Sequence, residues 1–145
     1  MILLCLHRIR MAKFIGKWRC EHSKELNNFD EFAKAAGIPR DAIEKLKTAT
    51  STVEFSQDGD KWIAKAESSI SQPSIYPWIP GEEAITTDVF GKGFRYTSKF
   101  DSDSKMTVIE QAEIMDWKEV KTTREVIGDR MITMKELPDG TSMSQ

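Results

Sequence analysis

Hydrophobic residues recur at helical spacing mainly in one part of the chain, residues 27–47. In its first half they stand at positions i, i+3, i+4 and i+7, as on one face of a helix: Phe29, Phe32, Ala33 and Ala36. Asn28 and Glu31 have the spacing of a capping box, which predicts the start of this helix, and Gly37 predicts its end. Pro39 suits the first position of a second helix, because its nitrogen has no hydrogen to leave unpaired there. This part of the chain therefore predicts a helix-turn-helix pair.

After residue 48 the hydrophobic positions alternate with polar ones, which is typical of strands with one buried face. Residues 53–66 predict one hairpin and residues 94–114 predict another. Turn signals separate the predicted strands at residues 58–59, 101–104, 128–129 and 138–140. Successive hairpins with no helix between them predict an antiparallel meander that closes into a barrel or a sandwich.

Three prolines interrupt the alternation between residues 71 and 83: Pro73, Pro77 and Pro80. Each lacks the N–H group that a ladder needs, so the segment predicts an edge strand or an irregular bend. Trp78 stands between two of these prolines. We expect its side chain to cover that edge, and the alternative is a side chain at the entrance of a cavity.

The length of 145 residues predicts a single domain, which we assign to residues 11–145. Residues 1–10 are expected to be a loose N-terminal extension, because their apolar run is too short for a signal peptide or a membrane span. Cys5 and Cys20 are too few for a disulfide framework. We therefore expect reduced thiols and a cytoplasmic location.

The net charge of −2 gives no electrostatic reason for a nucleic-acid partner. The second predicted helix carries balanced charges, which does not suit a DNA-recognition helix: Arg40, Asp41, Glu44, Lys45 and Lys47. We therefore expect no contact with nucleic acid.

The chain offers no pattern for catalysis, for a metal or for a cofactor. His7 and His22 are its only histidines, and neither stands in a metal-ligand spacing. No nucleophile elbow or glycine-rich phosphate loop is present. Glu110 and Glu113 are interpreted as solubilising charge on a solvated strand. We expect a protein that is not an enzyme and that holds neither a cofactor nor a metal.

Five stretches in this order resemble the intracellular lipid-binding proteins, the family of the fatty-acid-binding and cellular retinoid-binding proteins. They are FIGKW at 14–18, NFDEFAKAAG at 28–37, QDGDKWIAKAES at 57–68, PGEEAITTD at 80–88 and TTREVIGDRM at 122–131. The resemblance implies a mainly β, lipocalin-like fold: a ten-stranded up-and-down antiparallel β-barrel whose helix pair forms a lid. It also implies a monomeric, non-catalytic carrier that binds a long-chain fatty acid or a similar hydrophobic ligand inside the barrel.

The resemblance assigns candidate ligand-binding residues. Arg124 matches a family arginine that holds the ligand carboxylate, and strand alternation places it on the same face as Thr122 and Val126. A guanidinium facing an apolar interior can hold a carboxylate with two hydrogen bonds. The candidates on the entrance side of the cavity are Phe29, Ala33, Ile43 and Ile70. The candidates in the cavity wall are Asp88 and Thr133.

The chain departs from the family pattern at its last strand, which usually carries an Arg-x-Tyr triplet. The sequence ends PDGTSMSQ, so half of the expected anchor is absent and a short last strand is predicted. The alternative function is therefore a barrel that acts mainly as an interaction module. Its lid would contact membrane surfaces or proteins through basic residues: Lys34, Arg40, Lys45 and Lys47.

Overall fold

The computed structural model describes residues 12–21, 24 and 26–145, so the predicted extension at residues 1–10 lies outside the described residues. A 3₁₀ turn, Ala12–Phe14, precedes the first strand, and a second one, Glu113–Met115, follows the seventh. The two helices that the structure describes over their full length are α1 (Phe29–Ala36) and α2 (Arg40–Thr48). The strands are β1 (Gly16–Glu21), β2 (Thr50–Asp58), β3 (Lys61–Ser68), β4 (Ser71–Trp78), β5 (Glu83–Thr87), β6 (Gly93–Phe100), β7 (Lys105–Ala112), β8 (Glu119–Ile127), β9 (Arg130–Glu136) and β10 (Ser142–Ser144).

The ten strands form two antiparallel sheets in which consecutive strands are neighbours. One sheet has the order β1-β2-β3-β4 and the other has the order β10-β9-β8-β7-β6-β5. The backbones of Asn27 and Ser144 exchange hydrogen bonds of 2.9 and 3.1 Å, which link the entry to the helix pair with β10. The structure confirms the ten-stranded up-and-down barrel fold and the short last strand. Among the described residues no strand ladder joins β4 to β5 or β1 to β10, so the barrel wall consists of two separate sheets.

The predicted hairpins form because alternation gives each strand one buried face. In the β2–β3 hairpin Phe55 stands opposite Ala64, and both side chains are buried. Gly59 closes the turn at a φ of 66°, a left-handed conformation that glycine adopts at little cost. The hairpin predicted for residues 94–114 is confirmed as β6 and β7.

The helix pair is confirmed, but its first cap is not the predicted one. Asn28 has a φ of 60° and makes no side-chain cap hydrogen bond, so the capping box with Glu31 was wrong. Its Nδ2 instead donates to the Ser142 carbonyl at 2.8 Å, which ties the start of α1 to β10. Gly37 ends α1 with a φ of 79°, as predicted. Pro39 immediately precedes α2 rather than occupying its first position.

The lid is fixed to one end of the barrel by an apolar cluster. The buried face of α1 and Ile43 of α2 belong to the same cluster as three barrel-end residues, Val120, Leu137 and Met143. Burial of apolar area is the main favourable contribution to folding, so this contact holds the lid in place. The two short helices gain their stability from this packing rather than from their length.

Aromatic residues close the barrel away from the lid. Phe14 is fully buried, and its ring lies 5.5 Å from that of Phe100 and 6.4 Å from that of Phe55. Trp62, also fully buried, lies 4.8 Å from Phe100 between ring centroids. Such aromatic pairs add attraction beyond the area they bury.

The proline-containing segment is β4, the edge strand of the four-stranded sheet, as predicted. The position of Trp78 differs from the prediction. It pairs in register with Trp62, is only 6% exposed, and stacks on that ring at 5.9 Å. Because the two residues share the inner face, Trp78 is a core residue and does not cover the edge.

Replacement of Phe14 tests the aromatic closure. Phe14→Ala removes a fully buried ring and leaves a cavity, so we expect the free energy of unfolding to fall by about 3–5 kcal/mol in urea denaturation. Ile85→Ala is the control, because Ile85 is 78% exposed and its truncation should cost less than about 1 kcal/mol. A loss for Phe14→Ala no larger than that of the control would contradict this closure.

Candidate functional site

A cavity of about 710 Å³ lies inside the barrel and is lined by both sheets and the lid. Its size falls in the range of pockets that hold a small-molecule ligand, about 300–1,000 Å³. Most of the wall is apolar or aromatic and includes Val53, Tyr76, Phe94, Met106 and Val108. The lid contributes Ile38 and Leu46.

Arg124 lines this cavity, as alternation along β8 predicted. It pairs in register with Thr133 on β9, and its Nη1 donates to the Thr133 hydroxyl at 3.1 Å. Among the described residues, this is the only hydrogen bond made by the guanidinium group of Arg124, which carries five N–H donors. Arg124 is therefore oriented by Thr133 and retains donors for a ligand.

A second polar group lies beside Arg124 and joins three strands. Thr122 on β8 donates to Glu110 Oε1 on β7 at 2.9 Å. Lys135 on β9 donates to the Thr122 hydroxyl at 3.1 Å and forms an ion pair with Glu110 Oε1. We call these three residues the Glu110–Thr122–Lys135 cluster. Glu110 and Lys135 both line the cavity.

The charges of the site stabilise one another. Burial acts to raise the pKa of Glu110, but the charge and hydrogen bond of Lys135, the Thr122 hydroxyl and the charge of Arg124 together hold that pKa below its ordinary value. Burial lowers the pKa of Arg124, and the negative charge of Glu110 opposes that effect. With Glu110 negative and Lys135 and Arg124 positive, this side of the cavity carries a net charge of about +1.

Tyr96 also lines the cavity, but its hydroxyl is already engaged. It donates to the Pro77 carbonyl at 3.0 Å, which links β6 of one sheet to β4 of the other. Burial, together with the neighbouring Tyr76, raises the pKa of Tyr96 to about 12, so the phenol stays neutral. Tyr96 therefore has a structural role here.

The structure places the other candidate residues in four different settings. Thr133 lines the cavity and orients Arg124. Asp88 also lines it, but its Oδ1 accepts hydrogen bonds from the backbone N–H groups of Phe90 and Lys92 at 2.9 and 3.0 Å. Its carboxylate thus holds the turn between β5 and β6.

Four candidates on the entrance side do not line the cavity: Phe29, Ala33, Ile43 and Ile70. The first three lie in the lid cluster, because the apolar face of the helix pair is used to pack against the barrel end. Ile70 lies in the turn between β3 and β4. The lid residues at the cavity are instead Ile38 and Leu46.

The interpretation of Glu110 as solvated surface charge was wrong, since this residue is only 8% exposed. Alternation along β7 contained the signal, because Glu110 shares a face with Met106 and Val108. Lys135 was not recognised either, although it shares a face with Thr133 on β9. For both residues, alternation along the strand predicts a side chain inside the barrel, whereas the charge of the side chain favours a position in solvent.

The described residues contain no group of His, Cys, Asp and Glu side chains arranged to hold a metal ion. In the same part of the chain no helix is long and apolar enough to cross a membrane.

Comparison with known proteins agrees with this fold. A model of the lipocalin / cytosolic fatty-acid binding protein family matches residues 11–143. Fatty acid-binding protein type 2 of Fasciola hepatica is 30% identical over 122 residues, covering 84% of this chain and 87% of that protein. The fatty acid-binding protein of Schistosoma japonicum is 30% identical over 137 residues, covering 92% and 96%. The solved structure of the Schistosoma mansoni fatty acid binding protein in complex with arachidonic acid has a TM-score of 0.80 and 28% identity, covering 93% of this chain and 95% of that one.

The acid dependence of stability tests the charge state of Glu110. Its pKa in the folded protein lies below the ordinary value of 4.5, so the ionised form favours the fold. This contribution is complete above pH 4.5 and is lost as the pH falls through 4.5 and then through the lower folded pKa. In urea denaturation at a series of acidic pH values, we expect the wild type to lose more unfolding free energy than Glu110→Met/Lys135→Met.

The double variant is the suitable comparison because it removes both charges at once. Replacing only Glu110 would leave Lys135, which lies partly buried in the cavity wall, without its partner, and we expect this to be destabilising. Replacing both members of such a pair with apolar residues is often neutral or stabilising. Equal acid-induced losses in the wild type and the double variant would show that Glu110 is not held ionised by this cluster.

Proposed function

Because the chain belongs to the lipocalin / cytosolic fatty-acid binding protein family, we propose that it is a non-catalytic carrier of a long-chain fatty acid or a similar hydrophobic carboxylate. The observation that carries the proposal is Arg124 on the wall of a largely apolar cavity of about 710 Å³. The relatives named above support the fatty acid as the ligand class. We further propose that the protein acts as a monomer in the cytoplasm.

The two parts of the cavity match the two parts of such a ligand. Each methylene group moved from water into the apolar part contributes about 0.8 kcal/mol, so the chain supplies most of the affinity. A charge-assisted hydrogen bond from Arg124 to the carboxylate contributes about 1.5–3 kcal/mol and orients the head group. The carboxylate would also bring the net charge of this side of the cavity close to zero.

The alternative function is an interaction module that acts through its lid, and in that case the cavity would have no role. In its favour, the lid exposes Lys34, Arg40 and Lys45. Lys47, by contrast, forms an ion pair with Asp30 at 3.2 Å, so one of the four basic residues is already partly compensated. We therefore propose contact of the lid with a membrane surface only as an accompaniment to ligand transfer.

Replacement of Arg124 tests the carrier proposal. We expect Arg124→Met to weaken hexadecanoate binding about ten- to a hundredfold in isothermal titration, because the carboxylate loses a charged partner. Binding of the methyl ester of hexadecanoate, which carries no negative charge, should change much less. The affinity gap between acid and ester should therefore narrow in the variant.

Lys121→Met is the matched control, because Lys121 lies on the same strand and is exposed. It removes one positive charge outside the cavity and should leave both affinities within about twofold of the wild type. If the wild type bound neither compound, or if Arg124→Met bound hexadecanoate as tightly as the control, the proposed carrier mechanism would be wrong.

A further inference from the structure

We propose that Glu110 accepts a hydrogen bond from a hydroxyl group near the head of the ligand, so that the protein prefers fatty acids hydroxylated a few carbons from the carboxylate. This inference rests on the proposed carrier function and adds a substituent that the ligand should carry. It comes from an acceptor oxygen that lies in the cavity wall and from its position relative to Arg124.

The two oxygens of the Glu110 carboxylate differ in their hydrogen-bond partners. Oε1 accepts from both Lys135 and Thr122. No hydrogen bond to Oε2 occurs among the described residues, although an ionised carboxylate can accept about four. Because Glu110 lines the cavity and is only 8% exposed, the cavity is where Oε2 can find a donor.

A ligand that fills the cavity changes the surroundings of Glu110 Oε2. In the unliganded protein, water can donate to Oε2. An unsubstituted hydrocarbon chain lying against Glu110 would remove that water and offer nothing in return, which leaves a buried charged acceptor unsatisfied. A hydroxyl group at the same place replaces the lost hydrogen bond. The preference therefore arises from a penalty on the unsubstituted chain as well as from the new contact.

The spacing along β8 limits where on the ligand the hydroxyl can lie. Thr122, which holds Glu110, and Arg124 are two residues apart on the inner face of β8, a separation of about 7 Å along the strand. A carboxylate bound to Arg124 and a hydroxyl bound to Glu110 would then be separated by a few carbon atoms. A hydroxyl at the far end of the chain would lie out of reach.

The negative charge of Glu110 determines which kind of ligand group it accepts. The lowered pKa keeps Glu110 ionised at neutral pH, and an ionised acceptor forms stronger hydrogen bonds than a neutral one. The same negative charge disfavours a second carboxylate at this position. Glu110 therefore selects a neutral donor beside the head group and disfavours dicarboxylates.

Isothermal titration of the whole protein with four ligands tests the inference. These are hexadecanoate, hexadecanoate hydroxylated at its third or fifth carbon, and hexadecanoate hydroxylated at its last carbon. The wild type should bind at least one of the two acids with a hydroxyl near the head about tenfold or more tightly than hexadecanoate. The terminal hydroxyl should give no such gain.

The decisive variant is Glu110→Met/Lys135→Met, which removes the acceptor and retains Arg124 as the interior positive charge. We expect it to lose the preference for a hydroxyl near the head, with the affinities for hexadecanoate and its hydroxylated forms converging to within about threefold. Glu125→Gln is the matched control: Glu125 lies next to Arg124 on β8 but is exposed, so this variant should retain the wild-type preference.

The outcomes separate the inference from the carrier function on which it rests. Binding of hexadecanoate by the wild type without any preference for a hydroxyl near the head would overturn the inference alone. A preference that survives in the double variant would likewise overturn it, since Glu110 would not be its source. Failure of the wild type to bind any of the four ligands would overturn the carrier function as well.

Discussion

The structure depends on how three charged side chains are accommodated in a cavity whose wall is mostly apolar. Glu110, Lys135 and Arg124 all line the cavity. An isolated charge there would be strongly unfavourable, so each must have a partner. Glu110 and Lys135 pair with each other through Oε1, and Thr122 bonds to both. Arg124 has a neutral partner, Thr133, and its charge is left for a ligand. Glu110 and Lys135 thus neutralise each other, whereas the positive charge of Arg124 can pair with a ligand.

Stability alone gives no strong reason for this arrangement. Exchange of a buried ion pair for well-packed apolar residues is often neutral or stabilising. The cluster does, however, fix the direction of its acceptor oxygens across three strands, β7, β8 and β9. Rigid strands hold such groups more accurately than loops do. This geometry suits recognition of a ligand head group, whereas the lid and the aromatic closure supply the burial that keeps the cavity walls in place.

The fold could be predicted from the sequence because its signals are local. Alternation around Phe55 and Ala64 predicts a hairpin, and the helical spacing of Phe29, Phe32 and Ala33 predicts the first lid helix. Both signals depend only on which face of an element is buried. The number of strands came from the five stretches that resemble the lipid-binding family, because alternation alone does not determine it.

The site was only partly predictable, because its remaining features depend on contacts between distant residues. The position of Arg124 in the cavity wall could be predicted from strand alternation and from the family resemblance. Glu110 was wrongly assigned to the solvent-exposed surface, because its partner Lys135 lies 25 residues further along the chain. Asn28 likewise bonds to Ser142 on another element instead of capping its own helix. Trp78 was misplaced because its neighbouring prolines indicated an edge, whereas register with Trp62 determined where its side chain points.

The central claim is that the interior cation Arg124 receives the head group of the ligand. A carbon-13 NMR titration of the protein bound to carboxyl-labelled hexadecanoate tests it most directly, because the shift of the labelled carbon reports the charge of the carboxyl group. The account predicts a bound carboxylate that stays ionised well below the pH at which an ordinary carboxylic acid takes up its proton. A labelled carboxyl that titrates at or above that ordinary value would place the head group away from Arg124 and contradict the account.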